Sequence, residues 1–453
     1  MLRLYAALFA IGLVVYGTVA WSRLGEPSEA PHFMLQADAW LHGSAAVSPP
    51  LSPDDWAVVE TVVLDDDREV RGRRLVTRPA FRTLGGEEIA LPRVRRSLGH
   101  AAYVSFPPFP TLIMLPSALV FGRGATDVIP TVFIAALVLP LTLLLLRRLA
   151  AAGLSRRSLP DDLWLVATLA FGTVMFFSSV QGKVWYTAHV VGVALALVYS
   201  WASIEARHPV VAGLALGAAA LTRTSMAFMF PLFLFEAWRI AQRDPEGVRR
   251  ALVRPLLRFA IPVAAFALAG MAYNYARFSS PTEFGHTYLA LGNFQPVYQQ
   301  KYIETWGLAH YHYLSRNLTV AFTLLPDLST RAPYISISGH GLAMWVTTPL
   351  LFLTLWPREK GALHRPLWIT TALVAIWPFL YMNSGWFQFG YRFSLDYTVF
   401  LIALIAVGGR PLGKVAKALI VAGIIVNLFG AITFYRYHQF YRGGAARETV
   451  IAN

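Results

Sequence analysis

Long apolar runs separated by short polar connectors make up most of the chain. The first run is Leu4 to Trp21, and further runs follow at about 126–146, 163–180, 184–204, 208–222, 224–240, 257–275, 341–356, 366–382, 392–408 and 418–435. Most approach the ~20 residues that cross a bilayer as a helix. The pattern therefore predicts an all-α polytopic membrane protein with about 11 transmembrane helices.

One further apolar run, 108–122, differs from the others. It is only about 15 residues long, which is short for a span, and Pro116 interrupts it. We therefore predict a re-entrant or short helix here.

The polar segment 22–107 is too long for a simple connector, so we predict an extramembrane module. Trp56 to Leu64 is rich in Val and Thr, Asp65-Asp66-Asp67 forms a turn, and the segments 74–82 and 87–91 flank Gly85-Gly86. These features predict a small β-hairpin insertion.

The segment 31–43 of this module has helical periodicity. Its apolar side chains share one arc, and His32, Gln36, Asp38 and His42 occupy the other. The pattern predicts an amphipathic helix lying on a membrane surface, with Asp38 at the lipid–water boundary. An ordinary solvated polar face explains the same spacing.

The predicted organisation is a first transmembrane helix at 1–21, the catalytic loop module at 22–107 and a helical core at 108–275. A second loop at 276–340, C-terminal transmembrane helices at 341–435 and a tail at 436–453 follow. Four basic loops, at 147–157, 239–258, 358–365 and 410–417, are expected on the cytoplasmic side. All four loops fall on the cytoplasmic side only if the segment 108–122 does not fully cross the membrane. Both loop modules and the C-terminus are then outside.

Composition removes several classes of function. The net charge is +14, but much of the Lys and Arg lies in short loops where it sets topology, so no nucleic-acid partner is predicted. The chain has no cysteine, which excludes disulfides, a thiolate metal site and a cysteine nucleophile. It also lacks a Gly-rich phosphate loop after a strand and an HExxH zinc motif.

Charged residues at membrane depth are the candidates for chemistry. Isolated charges there are costly and usually functional, although an arginine can also extend to the interface from a helix end. A site lined by Arg and Lys at a lipid interface suits a phosphate on a membrane-embedded tail. The expected topology gathers five such side chains on the non-cytoplasmic face: Asp38, Lys183, His189, Arg223 and Arg392.

Arg392 and Asp396 are four residues apart, which predicts that Asp396 pairs with the Arg392 guanidinium and orients it. A purely structural ion pair is the alternative. His32, Asp38 and His42 leave a divalent-metal site open, but such residues on a surface helix are more often ordinary polar positions. No metal or other cofactor is predicted with certainty.

Several short segments together resemble the integral-membrane glycosyltransferases of superfamily C, and in particular proteins similar to the bacterial protein O-mannosyltransferases and lipid A aminoarabinose transferases. The resemblance spans most of the chain. Its carriers are Gln36-Ala37-Asp38-Ala39, Phe106-Pro107-Pro108-Phe109-Pro110, Gly122, Leu221-Thr222-Arg223, Tyr275-Ala276-Arg277-Phe278-Ser279-Ser280-Pro281 and Gln388-Phe389-Gly390-Tyr391-Arg392-Phe393.

The resemblance implies sugar transfer from a polyprenyl-phosphate donor to an acceptor hydroxyl, on the extracytoplasmic face of a bacterial plasma membrane. Asp38 matches the family's catalytic first-loop acid and would be the general base, with Arg392, Arg223 and Lys183 binding the donor phosphate. The supporting residues would be His32, His42, His189, Gln388 and Asp396. Family members often carry two adjacent acids, whereas Ala39 follows Asp38 here, and Asp54-Asp55 receives no role.

The expected partners are the lipid-linked sugar donor, membrane lipids and an acceptor that could be a lipid, a glycan or a protein. Two other functions remain open. A secondary transporter or lipid flippase also needs many spans and buried charges, although the chain shows no internal repeat. A non-catalytic scaffold would use the outer module to bind partners, but it would not need charges within the spans.

Overall fold

The computed structural model describes residues 1–245 and 247–442. Most of the predicted C-terminal tail, residues 443–453, lies outside the described residues. Within the described part are sixteen α-helices, α1 to α16 in chain order: Leu2–Ala20, His32–Leu41, Phe109–Phe121, Val128–Ala151, Leu159–Phe171, Met175–Ser179, Val184–Ser203, Pro209–Ala220, Pro231–Ala241, Val248–Phe278, Gln300–Trp306, Leu314–Phe322, Met344–Thr347, His364–Leu380, Leu395–Val407 and Lys414–Thr433.

The described part of the chain, 1–245 and 247–442, also contains nine strands, β1 to β9: Trp56–Leu64, Glu69–Arg74, Ala80–Thr83, Glu88–Ala90, Val94–Val104, Leu289–Ala290, Asp327–Leu328, Ile335–Ser338 and Tyr441–Arg442. The β insertion predicted after Trp56 is confirmed, and β1 has the predicted bounds. It is larger than a hairpin, because five strands pair antiparallel in the order β4-β3-β2-β1-β5, and β6 adds to β1.

Five helices in the described part of the chain are long and apolar enough to cross a membrane: Leu2–Arg23, Val128–Ala151, Val184–Ala206, Val248–Phe278 and Lys414–Thr433, where two ranges include a terminal 3-10 turn. They indicate a multi-pass integral membrane protein. The predicted number of about 11 spans is not confirmed.

Three of the remaining apolar runs do not form one long helix. The run at 163–180 divides into α5 and α6 at Gly172. The run at 224–240 begins with a 3-10 segment, so α9 starts only at Pro231. The run at 108–122 forms α3, a 13-residue helix with Pro116 inside it.

The two central helices are α7 and α15. Every residue of α15 is buried, and so are most residues of α7. Outer helices pack closely where small residues meet: a Cβ added at Gly12 of α1 would come within 2.8 Å of the Ala136 Cα of α4. The side chains of α7 and α15 therefore make up much of the protein interior.

The amphipathic helix predicted at 31–43 exists as α2, but the prediction that it lies on a surface is wrong. Its first six residues are all buried, polar ones included. Gln36 donates to the Tyr273 hydroxyl of α10 at 2.8 Å and accepts a short hydrogen bond from Thr111 of α3. Tertiary hydrogen bonds therefore replace the water that the polar arc would otherwise face.

The two predicted extramembrane segments, 22–107 and 276–340, are joined in one body. Residues 289–290 form β6 on β1. Arg73 of β2 forms an ion pair with Glu304 of α11 at 2.5 Å, and the Glu304 carboxylate also accepts from the Val76 and Thr77 backbone. The sheet thereby holds the second loop against the helix ends.

Candidate active site

A cavity of about 370 Å³ lies where the sheet and the second loop meet the ends of the central helices. Its charged or titratable lining consists of Asp55, Arg223, Glu283, His286 and Arg392, together with the hydroxyl of Tyr381. Much of the rest of the lining is aromatic and therefore apolar. The aromatic lining residues besides Tyr381 are Phe106, Trp185, Phe228, Phe284, Trp377 and Phe393.

Asp55 supplies a carboxylate to this cavity from the residue just before β1. Its φ of 65° lies in the left-handed region, which Asp tolerates better than most residues. The Ser105 hydroxyl donates to the Asp55 carbonyl at 2.8 Å, because the pairing of Trp56 with Val104 brings the start of β1 beside the end of β5. Strand pairing therefore fixes the backbone of Asp55.

The Asp55 carboxylate accepts a hydrogen bond from the Trp185 indole nitrogen of α7 at 2.6 Å. Burial raises the pKa of Asp55 from its ordinary value of 3.8 to about 6, although the Trp185 hydrogen bond and the nearby Arg392 charge oppose this shift. Asp55 is thus ionised at neutral pH and is a stronger base than an exposed aspartate, as a general base requires.

Arg392 brings a guanidinium to the same cavity, and its side chain is held by backbone carbonyls. Its Nη1 donates to the Gly385 and Phe387 carbonyls, while its backbone N–H donates to Gln388 Oε1 at 3.0 Å. Its buried Nε has no hydrogen-bond partner among residues 1–245 and 247–442. A cation that is held by neutral groups and faces a cavity can bind an anion there.

The predicted pairing of Arg392 with Asp396 is wrong. Residues 392–394 form a 3-10 turn and α15 begins only at Leu395, so the two side chains do not share the face that an unbroken α-helix would give them. Asp396 instead accepts from Arg223 Nε at 2.5 Å and from the Ser225 hydroxyl at 2.6 Å.

His189 completes this buried group, with Nδ1 3.1 Å from the Asp396 carboxylate. Three predicted residues, His189, Arg223 and Asp396, therefore meet in one network. Arg223 lines the cavity, whereas Asp396 lies outside the lining and holds the Arg223 guanidinium in place. Gln388 fixes the backbone of Arg392, because its Nε2 donates to the His340 and Ser384 carbonyls while its Oε1 accepts from the Arg392 backbone N–H.

Asp38 lies outside the cavity lining. Its side chain is 15% exposed, with one oxygen 3.7 Å from His42 Nδ1. His42 is largely exposed and contacts the Asp38 carbonyl at 2.8 Å. The structure therefore places Asp38 and His42 together, but apart from the two guanidiniums that line the cavity.

His32 and Lys183 also have positions that the sequence did not predict. The His32 ring is buried, stacks on Trp56 at 4.3 Å and bonds the Asp54 carbonyl at 2.7 Å. Burial lowers the pKa of His32 to about 4, so it is neutral at pH 7. Lys183 forms an ion pair with Glu29 at 2.5 Å. His32 thus supports the turn that carries Asp55, and Lys183 lies outside the cavity lining.

Among residues 1–245 and 247–442, no group of three or more His, Cys, Asp or Glu side chains could hold a metal ion. The combination of His32, Asp38 and His42 left open by the sequence does not form, because the His32 ring is enclosed by Trp56 and the Asp54 carbonyl.

Sequence reasoning gave no role to three polar residues of the cavity, Asp55, Glu283 and His286. Burial and the charges of Arg223 and Arg277 lower the pKa of His286 to about 4, so it is a neutral hydrogen-bonding group. Both Glu283 oxygens accept hydrogen bonds within the loop, from the Gly285 N–H and from Thr287. The available signal for Asp55 was an acid directly before a run of strand-forming residues.

No protein-family model matches the chain, and no curated protein sequence matches it. Among solved structures, the chain is similar to the archaeal oligosaccharyltransferase AglB from Archaeoglobus fulgidus in complex with an inhibitory peptide and a dolichol-phosphate. The TM-score is 0.42 at 10% identity, over 97% of this chain and 56% of that one, so the chain spans little more than half the length of AglB. A similarity this low supports no inference about chemistry. Any functional argument must therefore come from the residues that line the cavity.

Proposed function

We propose that the protein transfers a sugar from a polyprenyl-phosphate-linked donor to an acceptor hydroxyl, at the cavity on the extracytoplasmic side. The observation that carries this proposal is the Asp55 carboxylate, which shares one cavity with the guanidiniums of Arg223 and Arg392. A base and an anion-binding pair at one site are the groups that such a transfer needs.

In the proposed reaction, Asp55 accepts the proton of the acceptor hydroxyl. The acceptor oxygen then bonds the anomeric carbon as the bond from that carbon to the phosphate oxygen breaks. Arg392 and Arg223 stabilise the charge that develops on the departing polyprenyl phosphate. The aromatic residues of the cavity lining can contact the apolar faces of the sugar and the first isoprene units.

Asp55 is preferred over Asp38 because it lines the cavity with both guanidiniums. The role of Asp38 as base stays a prediction from sequence resemblance. Lys183, also predicted to bind the phosphate, already pairs with Glu29, so the proposed phosphate contacts are reduced to Arg223 and Arg392.

The experiment measures release of polyprenyl phosphate from a panel of polyprenyl-phosphate sugars by the full chain in membranes that still contain its acceptor, because this product forms whatever the acceptor is. Asp55→Asn keeps the size of the side chain but cannot accept the proton. It should lower turnover by roughly 10² to 10⁴ while the donor still raises the melting temperature. The matched control is Asp54→Asn, which changes the adjacent, exposed acid and should leave turnover near wild type.

Asp38→Asn decides between the two candidate bases. If it abolishes turnover while Asp55→Asn retains it, the base is Asp38. If wild-type protein releases no polyprenyl phosphate from any donor but moves the lipid between leaflets of a vesicle, the protein is a flippase and the proposal fails.

A further inference from the structure

Helix α10 is longer than a bilayer requires. Its 31 residues span about 46 Å at 1.5 Å per residue, whereas the hydrocarbon core is about 30 Å thick, or ~20 helical residues. The C-terminal end of α10 lies beside the active-site sheet, because Arg277 donates to the Val104 carbonyl at 2.9 Å. About twenty residues counted back from Phe278 reach Phe259, so the hydrocarbon edge lies near 257–259 and the preceding turns of α10 extend beyond it on the side opposite the cavity.

This extended segment has a basic and apolar outer face. The spacing of 250, 254 and 258 puts three arginines along one side of the helix. Leu257 and Ile261, which are 57% and 67% exposed, lie next to them on the lipid-facing surface. The exposed residues of this face are Arg249, Arg250, Val253, Arg254, Leu257, Arg258 and Ile261.

Two arginines near other helix ends on this side have carboxylate partners. Arg148 pairs with Glu205 at 2.6 Å, and Arg239 pairs with Glu236 at 2.6 Å. None of the four arginines of the α10 face forms an ion pair with another residue in the described ranges 1–245 and 247–442. An exposed arginine without an ion pair, beside the exposed apolar side chains of Leu257 and Ile261, is available to bind an anion from outside the chain.

We propose that this face, Arg250, Arg254 and Arg258 with the adjacent Leu257, binds the headgroup phosphates of anionic phospholipids. The guanidiniums contact the phosphates and the apolar side chains contact the first acyl carbons. The site lies in the leaflet opposite the cavity, so its ligand is distinct from the donor lipid. The proposal does not depend on the proposed sugar transfer.

The test titrates short-chain phosphatidylglycerol, phosphatidylcholine or inorganic phosphate onto the full chain in neutral detergent and follows the melting temperature. Wild-type protein should be stabilised by phosphatidylglycerol only. Each arginine contributes about fivefold in affinity, so the triple variant Arg250→Gln, Arg254→Gln, Arg258→Gln should bind phosphatidylglycerol about a hundredfold more weakly. The triple Arg→Lys variant should retain most of the binding.

The matched control removes three charges from the exposed surface of the β insertion, by Arg68→Gln, Arg95→Gln and Arg96→Gln. Two of these arginines make only exposed ion pairs, with Asp66 and Asp67, so the fold should tolerate the change. An equal loss of binding in this control would overturn the proposal, since the effect would then be one of net charge. Equal stabilisation of wild type by phosphatidylcholine or by inorganic phosphate would also overturn it.

Discussion

Replacing Trp185 by Phe should move the acid limb of the pH profile toward higher pH. The substitution keeps an aromatic ring in the cavity wall but removes the indole N–H that lies 2.6 Å from the Asp55 carboxylate. That hydrogen bond favours the ionised form, so its loss must raise the pKa of Asp55 above the present value of about 6.

The size of the shift follows from the strength of the bond. A hydrogen bond to a charged group contributes about 1.5 to 3 kcal/mol, and one pKa unit corresponds to about 1.36 kcal/mol. The pKa of Asp55 should therefore rise by about one to two units. Because only the ionised carboxylate accepts the acceptor's proton, activity in the variant should begin to fall well above pH 6.

The assay is kcat/KM for release of polyprenyl phosphate between pH 5 and 9, since this parameter reports groups of the free enzyme. A packing defect alone would lower activity equally at every pH, whereas a pKa shift leaves activity near wild type on the alkaline side. Trp377→Phe is the control, because Trp377 lines the same cavity but does not contact Asp55 in the hydrogen-bond network. An acid limb that stays at its wild-type position in Trp185→Phe would refute the role of Asp55 as base.

Two further predictions concern the phosphate contact and the topology. Arg392→Lys keeps the charge but loses the planar guanidinium that Gly385 and Phe387 hold, so turnover and donor-induced stabilisation should fall together while the protein stays folded; wild-type values for both would contradict the contact. Because the chain has no cysteine, a single Cys at exposed Glu69 should react with an impermeant thiol reagent in right-side-out vesicles. A Cys at Arg156, which is 85% exposed, should not; the reverse labelling would invert the topology.

The location of the labelling sites follows from the structure. Gly72 lies close to the centre of the predicted outer module, but a Cβ there would come within 2.0 Å of the Arg82 carbonyl. Arg157 is buried and its guanidinium donates to the Arg410 carbonyl at 3.0 Å. Glu69 and Arg156 test the same two segments without disturbing either packing arrangement.

Some features could be predicted because neighbouring residues determine them. The Val and Thr run from Trp56 to Leu64 predicted a strand with the bounds that β1 has, since β-branched side chains favour extended backbone. The periodicity at 31–43 likewise predicted a helix that exists as α2. The apolar runs predicted a multi-pass membrane protein, because crossing a bilayer requires a minimum length of apolar helix.

Whether an apolar run forms one long helix depends on the folded structure and not on hydropathy alone. The hydropathy of the sequence shows neither the break at Gly172 nor the 3-10 segment before Pro231. The surroundings of α2 could not be predicted either, because the partners of Gln36 are Tyr273 and Thr111, far away in the chain.

The chemistry of the site depends most on tertiary structure. The sequence predicted Arg223 and Arg392 as phosphate-binding residues because a charge at membrane depth is visible as an exception within an apolar run. It named Asp38 as the base and gave Asp55 no role, because an acid next to a helix or strand looks the same in sequence wherever its side chain points. Asp55 reaches the cavity only because β1 pairs with β5 and because Trp185, 130 positions later in the chain, donates to its carboxylate. Periodicity is a property of adjacent residues, whereas the ionisation of a carboxylate is set by whatever the whole fold packs around it.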